Sequence, residues 1–211
     1  MKADALSPRQ LFDGNVHYEV PAFQRPYVWN EEDQWAPLWA DVVTVAESLL
    51  HGAQDPDTTR HHFLGAVVYD SKPHHVGDVA RHNVIDGQQR TTTRQIILDA
   101  VQQVFAERGH ELMADDLERL ILNGASVFKG KPERFKLWPS KTDREAFSQA
   151  MDPQPQWKAE HRIIAAHGYF RTEAKTWLAG TADADGVVSP GPAPERVDPP
   201  RRAHHARPHE V

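Results

Sequence analysis

The run Asp86-Gly87-Gln88-Gln89-Arg90-Thr91-Thr92-Thr93 gathers an acid, a glycine, a cation and three hydroxyls at a predicted strand-to-helix turn. Unpaired backbone N–H groups and the partial positive charge at a helix start favour a phosphate there. Gly87 permits close backbone approach, and Arg90 adds a bidentate fork. The hydroxyls of Thr91 to Thr93 can donate to phosphate or bind Mg²⁺, and Asp86 can hold that cation or position a water. A purely structural reading stands open beside this one: Thr91 or Thr92 caps the helix, Gly87 makes the turn, and Arg90 pairs with Asp86. No Lys-Ser/Thr pair follows a glycine-rich loop and no G-x-G-x-x-G occurs, so the run is neither a P-loop nor a dinucleotide fingerprint.

A second constellation is Phe23-Gln24-Arg25-Pro26-Tyr27-Val28-Trp29. An Arg and a Gln flanked by aromatics suit a surface that stacks a base and contacts a phosphate or a base edge. The alternative is that Phe23, Tyr27 and Trp29 belong to the core. The 13 histidines include the pairs His61-His62, His74-His75 and His204-His205. Adjacent residues diverge on a helix or a strand, so such pairs serve one metal poorly. With no cysteine a thiol nucleophile is impossible, and no G-x-S-x-G elbow occurs.

The elements that must position these residues are readable from period and punctuation. Residues 18–29 are β-branched and aromatic but broken by Pro21 and Pro26, which predicts an edge strand or extended arm. Asn30 caps a helix over about 31–50, with Trp35, Leu38, Trp39 and Val42 at helical spacing. Phe63 to Tyr69 reads as a buried strand forming a hairpin with Asn83–Asp86. A helix starts at Thr91 with Ile97, Ala100, Val101, Val104 and Phe105 on one face, and ends near Gly109. Further helices are expected over 111–122, 143–150 and 158–178, and a short strand over 134–138. The last helix turns Ile163, Ala166, Phe170, Ala174 and Trp177 toward the core. The class is α+β, a small mixed sheet with packed helices.

The 211 residues carry a formal charge of −6, with 39% apolar, 9% aromatic and 26% charged side chains. That composition fits a globular protein and gives no global basic field for nucleic acid or membrane surfaces. No secretory h-region follows the start, and the longest apolar run is too short to span a bilayer, so a cytoplasmic location is expected. Six of the 16 prolines fall in residues 181–211, which contain no Phe, Trp or Tyr. The expected organisation is a folded unit over 1–180 and a disordered Pro-rich tail over 181–211.

Taken together, Val20 to Trp29, the helix with Trp35 and Trp39, Phe63-Leu64-Gly65 and Ile85 to Thr93 resemble the N-terminal domain of GmrSD and SspE type restriction endonucleases. Lys136-Leu137-Trp138-Pro139 and Asp143-Arg144-Glu145-Ala146-Phe147 add to the likeness, which runs from about residue 9 to 178. The resemblance implies a fold similar to the ParB and sulfiredoxin group. It also implies a defence role, in which the domain hydrolyses nucleoside triphosphates with Mg²⁺ and senses modified DNA while a nuclease cuts. Asp86, Gly87, Gln88, Gln89, Arg90 and Thr91 would then inherit the nucleotide role, Arg90 neutralising phosphate and Asp86 positioning cation or water. Phe23, Gln24, Arg25 and Tyr27 would line the same cleft, with Gln24 and Arg25 toward nucleotide and Phe23, Gln24 and Tyr27 toward the DNA modification. Family members continue beyond this point, so a nuclease subunit acting in trans is one expectation. A non-catalytic binding module is a second, and a truncated remnant whose Phe170 and Trp177 lie unburied is a third.

Overall fold

The structure, a computed structural model, describes residues 4–50, 62–75, 78–124, 128–152 and 160–180. The expected tail over 181–211, and with it His204-His205, lies outside the described residues, as does His61.

The chain opens with helix α1 (Pro8–Phe12), closed by a capping box in which Ser7 and Gln10 satisfy each other's backbone N–H groups. Strand β1 (Val16–Glu19) follows, then an irregular arm over 20–29. The Asn30 side chain accepts from the Asp33 N–H and starts a π-helical turn, Glu31–Trp35, that runs into α2 (Ala36–Leu50). β2 (Val68–Ser71) and β3 (Ala80–Asp86) lead to the long helix α3 (Gln88–Glu107). After α4 (Glu111–Glu118) come a 3₁₀ turn, Pro132–Arg134, and β4 (Leu137–Trp138), then α5 (Arg144–Ala150) and α6 (Arg162–Gly180).

The strands form one sheet in the order β2-β3-β1-β4. β1 runs parallel to both β3 and β4, and β2 is antiparallel to β3, so the sheet is mixed and the class is α+β as expected. Tyr18, Val84 and Leu137 of the sheet share one core with Ile96, Ala100 and Val104 of α3 and with Ile163, Ala166 and Phe170 of α6. Among the described residues no helix is long and apolar enough to cross a membrane.

Four expectations are corrected in whole or in part. Of the edge strand or extended arm predicted over 18–29, the arm alternative holds for 20–29. Only Tyr18 and Glu19 belong to a strand, and they lie inside the sheet in β1, since Pro21 and Pro26 fall beyond its end and remove no ladder hydrogen bond. The expected buried strand Phe63–Tyr69 is an irregular loop through Val67 followed by an exposed edge strand; the hairpin partner is right, but Phe63 is 81% exposed. The buried face of α3 is centred on Ile96, Ala100 and Val104, one residue before the expected stripe, because Gln95, Asp99 and Gln103 are buried with it. Phe170 is fully buried against Trp35, Trp39 and Tyr169, and Trp177 is partly buried, so the last helix does not present the bare face expected of a remnant.

Lys136, just before β4, is buried with its ammonium donating to the Gly14 carbonyl. Burial pulls its pKa down to about 8, offset in part by Asp13. The unfolded chain titrates this group near 10.5, so it binds more protons than the folded chain between pH 8 and 10, and stability rises with pH in that window. Above pH 10 the sign reverses, because burial raises Tyr27 and Tyr169 to about 12. Urea unfolding at pH 7.5, 9 and 10 is expected to show the rise in the native chain and not in Lys136→Met.

Candidate functional site

The geometry of the Asp86–Thr93 run starts from Gly87. Its φ of +89° turns the chain from β3 into α3, and a Cβ there would stand 3.0 Å from the Ala66 carbonyl oxygen and 3.1 Å from Val67 Cα. Only glycine meets both demands without strain. The helix therefore begins at Gln88, three residues before the predicted start at Thr91. Thr91, Thr92 and Thr93 lie inside the first turns and are buried. The Thr91 hydroxyl donates to the Gly87 carbonyl and the Thr93 hydroxyl to the Gln89 carbonyl, so these hydroxyls neither cap the helix nor face a ligand. No side chain caps the start of α3. Its first-turn N–H groups keep the anion-attracting character of a helix N-terminus.

The two glutamines join the two motifs. Gln88 Nε2 donates to the Arg25 carbonyl at 3.1 Å, and Gln89 Nε2 to the Pro26 carbonyl at 2.9 Å. Gln89 Oε1 accepts from the Val28 N–H at 2.9 Å. The arm thus docks on α3 through glutamine amides, in the manner of a strand that pairs with side chains. Beneath it, Trp35 Nε1 donates to the Tyr27 hydroxyl at 2.9 Å, and the Tyr27 and Thr93 hydroxyls lie 2.7 Å apart. Because Thr93 donates to Gln89, the proton between them belongs to Tyr27, and every member of the chain is satisfied. Burial raises the Tyr27 pKa to about 12, against the pull of these hydrogen bonds. On the arm's other side, the Tyr27 N–H donates to Asp143 at 3.0 Å.

This arrangement splits the expected arm residues. Tyr27 is buried and cannot stack on a base, so its expected place in the cleft is corrected to a core role. Gln24 donates to the Ile85 carbonyl at 3.0 Å, closing the arm onto the end of β3. Phe23 is 82% exposed. The Arg25 side chain is exposed, with no hydrogen bond or ion pair among the described residues. Neither of two concavities, of about 170 and 440 Å³, is lined by a residue of the two motifs. At the start of α3, Gln88 and Gln89 are buried under the arm, while Phe23, Arg25 and Asp86 are exposed around it.

Asp86 is 71% exposed and its carboxylate lies 3.3 Å from Arg90. Arg90 also donates twice to the Ala66 carbonyl, at 3.1 and 2.6 Å. One turn on, Arg94 donates to the carbonyls of Leu64 and Gly65. Burial, and then the charge of Arg90, lower the Arg94 pKa to about 10. Sequence reasoning passed over Arg94; its signal was the four-residue spacing from Arg90, which puts both on one helix face.

Among the described residues no three His, Asp or Glu side chains cluster as a metal site. Asp86 is a lone carboxylate, the ligand count that Mg²⁺ uses when most of its shell is water and substrate phosphate. In that limited sense the residues fit the cation.

No curated protein matches the chain. The sequence profile of the GmrSD restriction endonuclease, N-terminal domain, matches residues 8–185. That span takes in β1, the arm, the glutamine-docked turn and all of α6, and the chain belongs to this family of GmrSD N-terminal domains.

Proposed function

We propose that the chain binds nucleoside triphosphate at the start of α3 and hydrolyses it, licensing a nuclease against modified DNA in the cytoplasm. The observation that carries the reading is the convergence of uncapped helix N–H groups, the Arg90 guanidinium and the exposed Asp86 carboxylate beside it at one strand end. Phosphate oxygens would lie over the N–H groups of the first turn, and Arg90 would neutralise the charge that builds on the transferred phosphoryl. Asp86 would hold Mg²⁺ carried in by the nucleotide, which supplies further neutralisation of that charge. Phe23 and Arg25, exposed at the arm's tip and next to the same turn, form the surface toward DNA, one stacking and one contacting phosphate.

A second reading, binding without turnover, is favoured by one observation. Gln88 and Gln89 are both committed to the arm's backbone, so neither amide is placed to orient an attacking water. Phosphate release by the full chain, assayed across the nucleoside triphosphates with Mg²⁺ and with modified or plain duplex, separates the two. Saturable nucleotide binding with no release under any combination overturns hydrolysis and leaves the binding module.

A further inference from the structure

We infer that Arg94 is a second phosphate-binding cation beside Arg90, and that the carbonyl oxygens of Leu64, Gly65 and Ala66 hold places that the oxygens of a polyphosphate take when it binds. The inference rests on the phosphate-binding half of the function proposed above and adds a residue and a displaced segment to it.

The argument begins with charge. Arg90 and Arg94 stand one turn apart, about 6 Å along the axis of α3, close enough that the charge of Arg90 disfavours that of Arg94. Like charges at this spacing destabilise a helix. Among the described residues these two guanidinium groups meet one exposed carboxylate, Asp86, which reaches Arg90. Arg94 is half-buried, and among the described residues its hydrogen-bond partners are the carbonyls of Leu64 and Gly65. A carbonyl satisfies a donor's geometry but carries no net charge. Among the described residues the pair is therefore hydrogen-bonded but only half neutralised, the state that a multiply charged anion relieves.

The second part is the segment that these arginines hold. Residues 62–67 pair in no strand, Phe63 is exposed, and Ala66 is exposed. Hydrogen bonds from Arg90 to Ala66 and from Arg94 to Leu64 and Gly65 tie this stretch to α3. Gly65, at φ +85°, lets the Arg90 side chain lie flat against the loop; a Cβ there would come within 2.8 Å of Arg90 Cδ. Transfer of the guanidinium donors from carbonyl to phosphate breaks no sheet ladder. The loop then swings from the helix start while β2 and its pairing with β3 stay in place.

The chain makes its best ligand a polyphosphate with charge on adjacent phosphoryl groups, since a single phosphate engages one fork well and the second poorly. Inorganic tripolyphosphate with Mg²⁺ is the probe, titrated calorimetrically into the full chain. Arg94→Gln is expected to weaken binding about tenfold or more, and Arg94→Lys less, because it keeps the charge and loses the fork. In the native chain the carbonyl ¹³C resonances of Leu64 and Ala66 are expected to shift on saturation as each loses its guanidinium donor. That readout does not depend on any variant folding. A folded Arg94→Gln with native affinity overturns the inference, as does a native chain that fails to bind tripolyphosphate or binds it with both resonances unmoved. Nucleotide turnover in the native chain with affinity unchanged in Arg94→Gln sinks this inference and spares the proposed hydrolysis. Tripolyphosphate binding lost in Arg94→Gln, with no nucleotide turnover by the native chain, does the reverse.

Discussion

Arg90→Ala is expected to lower kcat/KM for nucleotide hydrolysis by roughly 10²–10³ while the protein stays folded. The size follows from its place: loss of one donor aimed at charge that builds in the transition state costs about 3–4 kcal/mol in other enzymes. Its structural share is smaller. The side chain is one-third exposed and bonds one carbonyl and one exposed acid, so its removal costs about 1 kcal/mol of stability. That is a fall of about 2–4 °C in melting temperature. Arg90→Lys keeps the charge without the fork and should retain an intermediate rate. Gln89→Ala is the contrasting case. It leaves the Val28 N–H and the Pro26 carbonyl unpaired under the arm, at about 2–3 kcal/mol. Its activity, measured per folded molecule well below its melting point, should fall far less than that of Arg90→Ala. Turnover by folded Arg90→Ala within a few-fold of native would mean that the guanidinium serves the loop and not the phosphate.

The same residues show how far the sequence could be read. Local signals carried well: Asn30 caps its helix as its position implied, the α6 core residues Ile163, Ala166, Phe170 and Ala174 are buried as their spacing required, and β3 ends at Asp86. Failures came where a distant partner overrides local pattern. Phe63 to Val67 has strand composition, yet its carbonyls are taken by arginines on α3, so it joins no ladder. The helix start was misplaced because threonines are common caps, whereas here Gly87 and the loop behind it make the turn. The pairing of the two motifs was expected only as a shared cleft. That Gln88 and Gln89 dock the arm by its backbone could not be read, since a glutamine amide advertises no partner in sequence.

Asp99 and His167 show the largest such override, and they set the largest expected loss of stability. Asp99 lies on α3 and His167 on α6, each buried, with His167 Nε2 and Asp99 Oδ2 2.7 Å apart and Gln103 Nε2 donating to the same oxygen at 2.8 Å. In a hydropathy pattern Asp99 reads as an interruption of the helix's apolar face; in the fold it is the point where the two longest helices are tied. Asp99→Ala strips both neighbours of a partner. The environments then separate the costs. Asp99 and Gln103 line the cavity of about 170 Å³, so water can reach Gln103. His167 does not line that cavity and its side chain is wholly buried, so the penalty falls on the imidazole. Breakage of such a pair from one side costs about 3–5 kcal/mol, or roughly 10 °C in melting temperature. Removal of both residues is different, because neither half of the pair stays behind in the buried space between α3 and α6. Asp99→Leu with His167→Leu should recover much of the loss, and the cycle of single and double variants should return a coupling of about 2 kcal/mol or more. The effect should reach the site, since α3 carries Arg90 and Arg94 at its other end and its register against α6 fixes where they stand. Urea unfolding of Asp99→Ala within about 1 kcal/mol of native would show that the helices are held by Ile96, Ala100 and Phe170 alone.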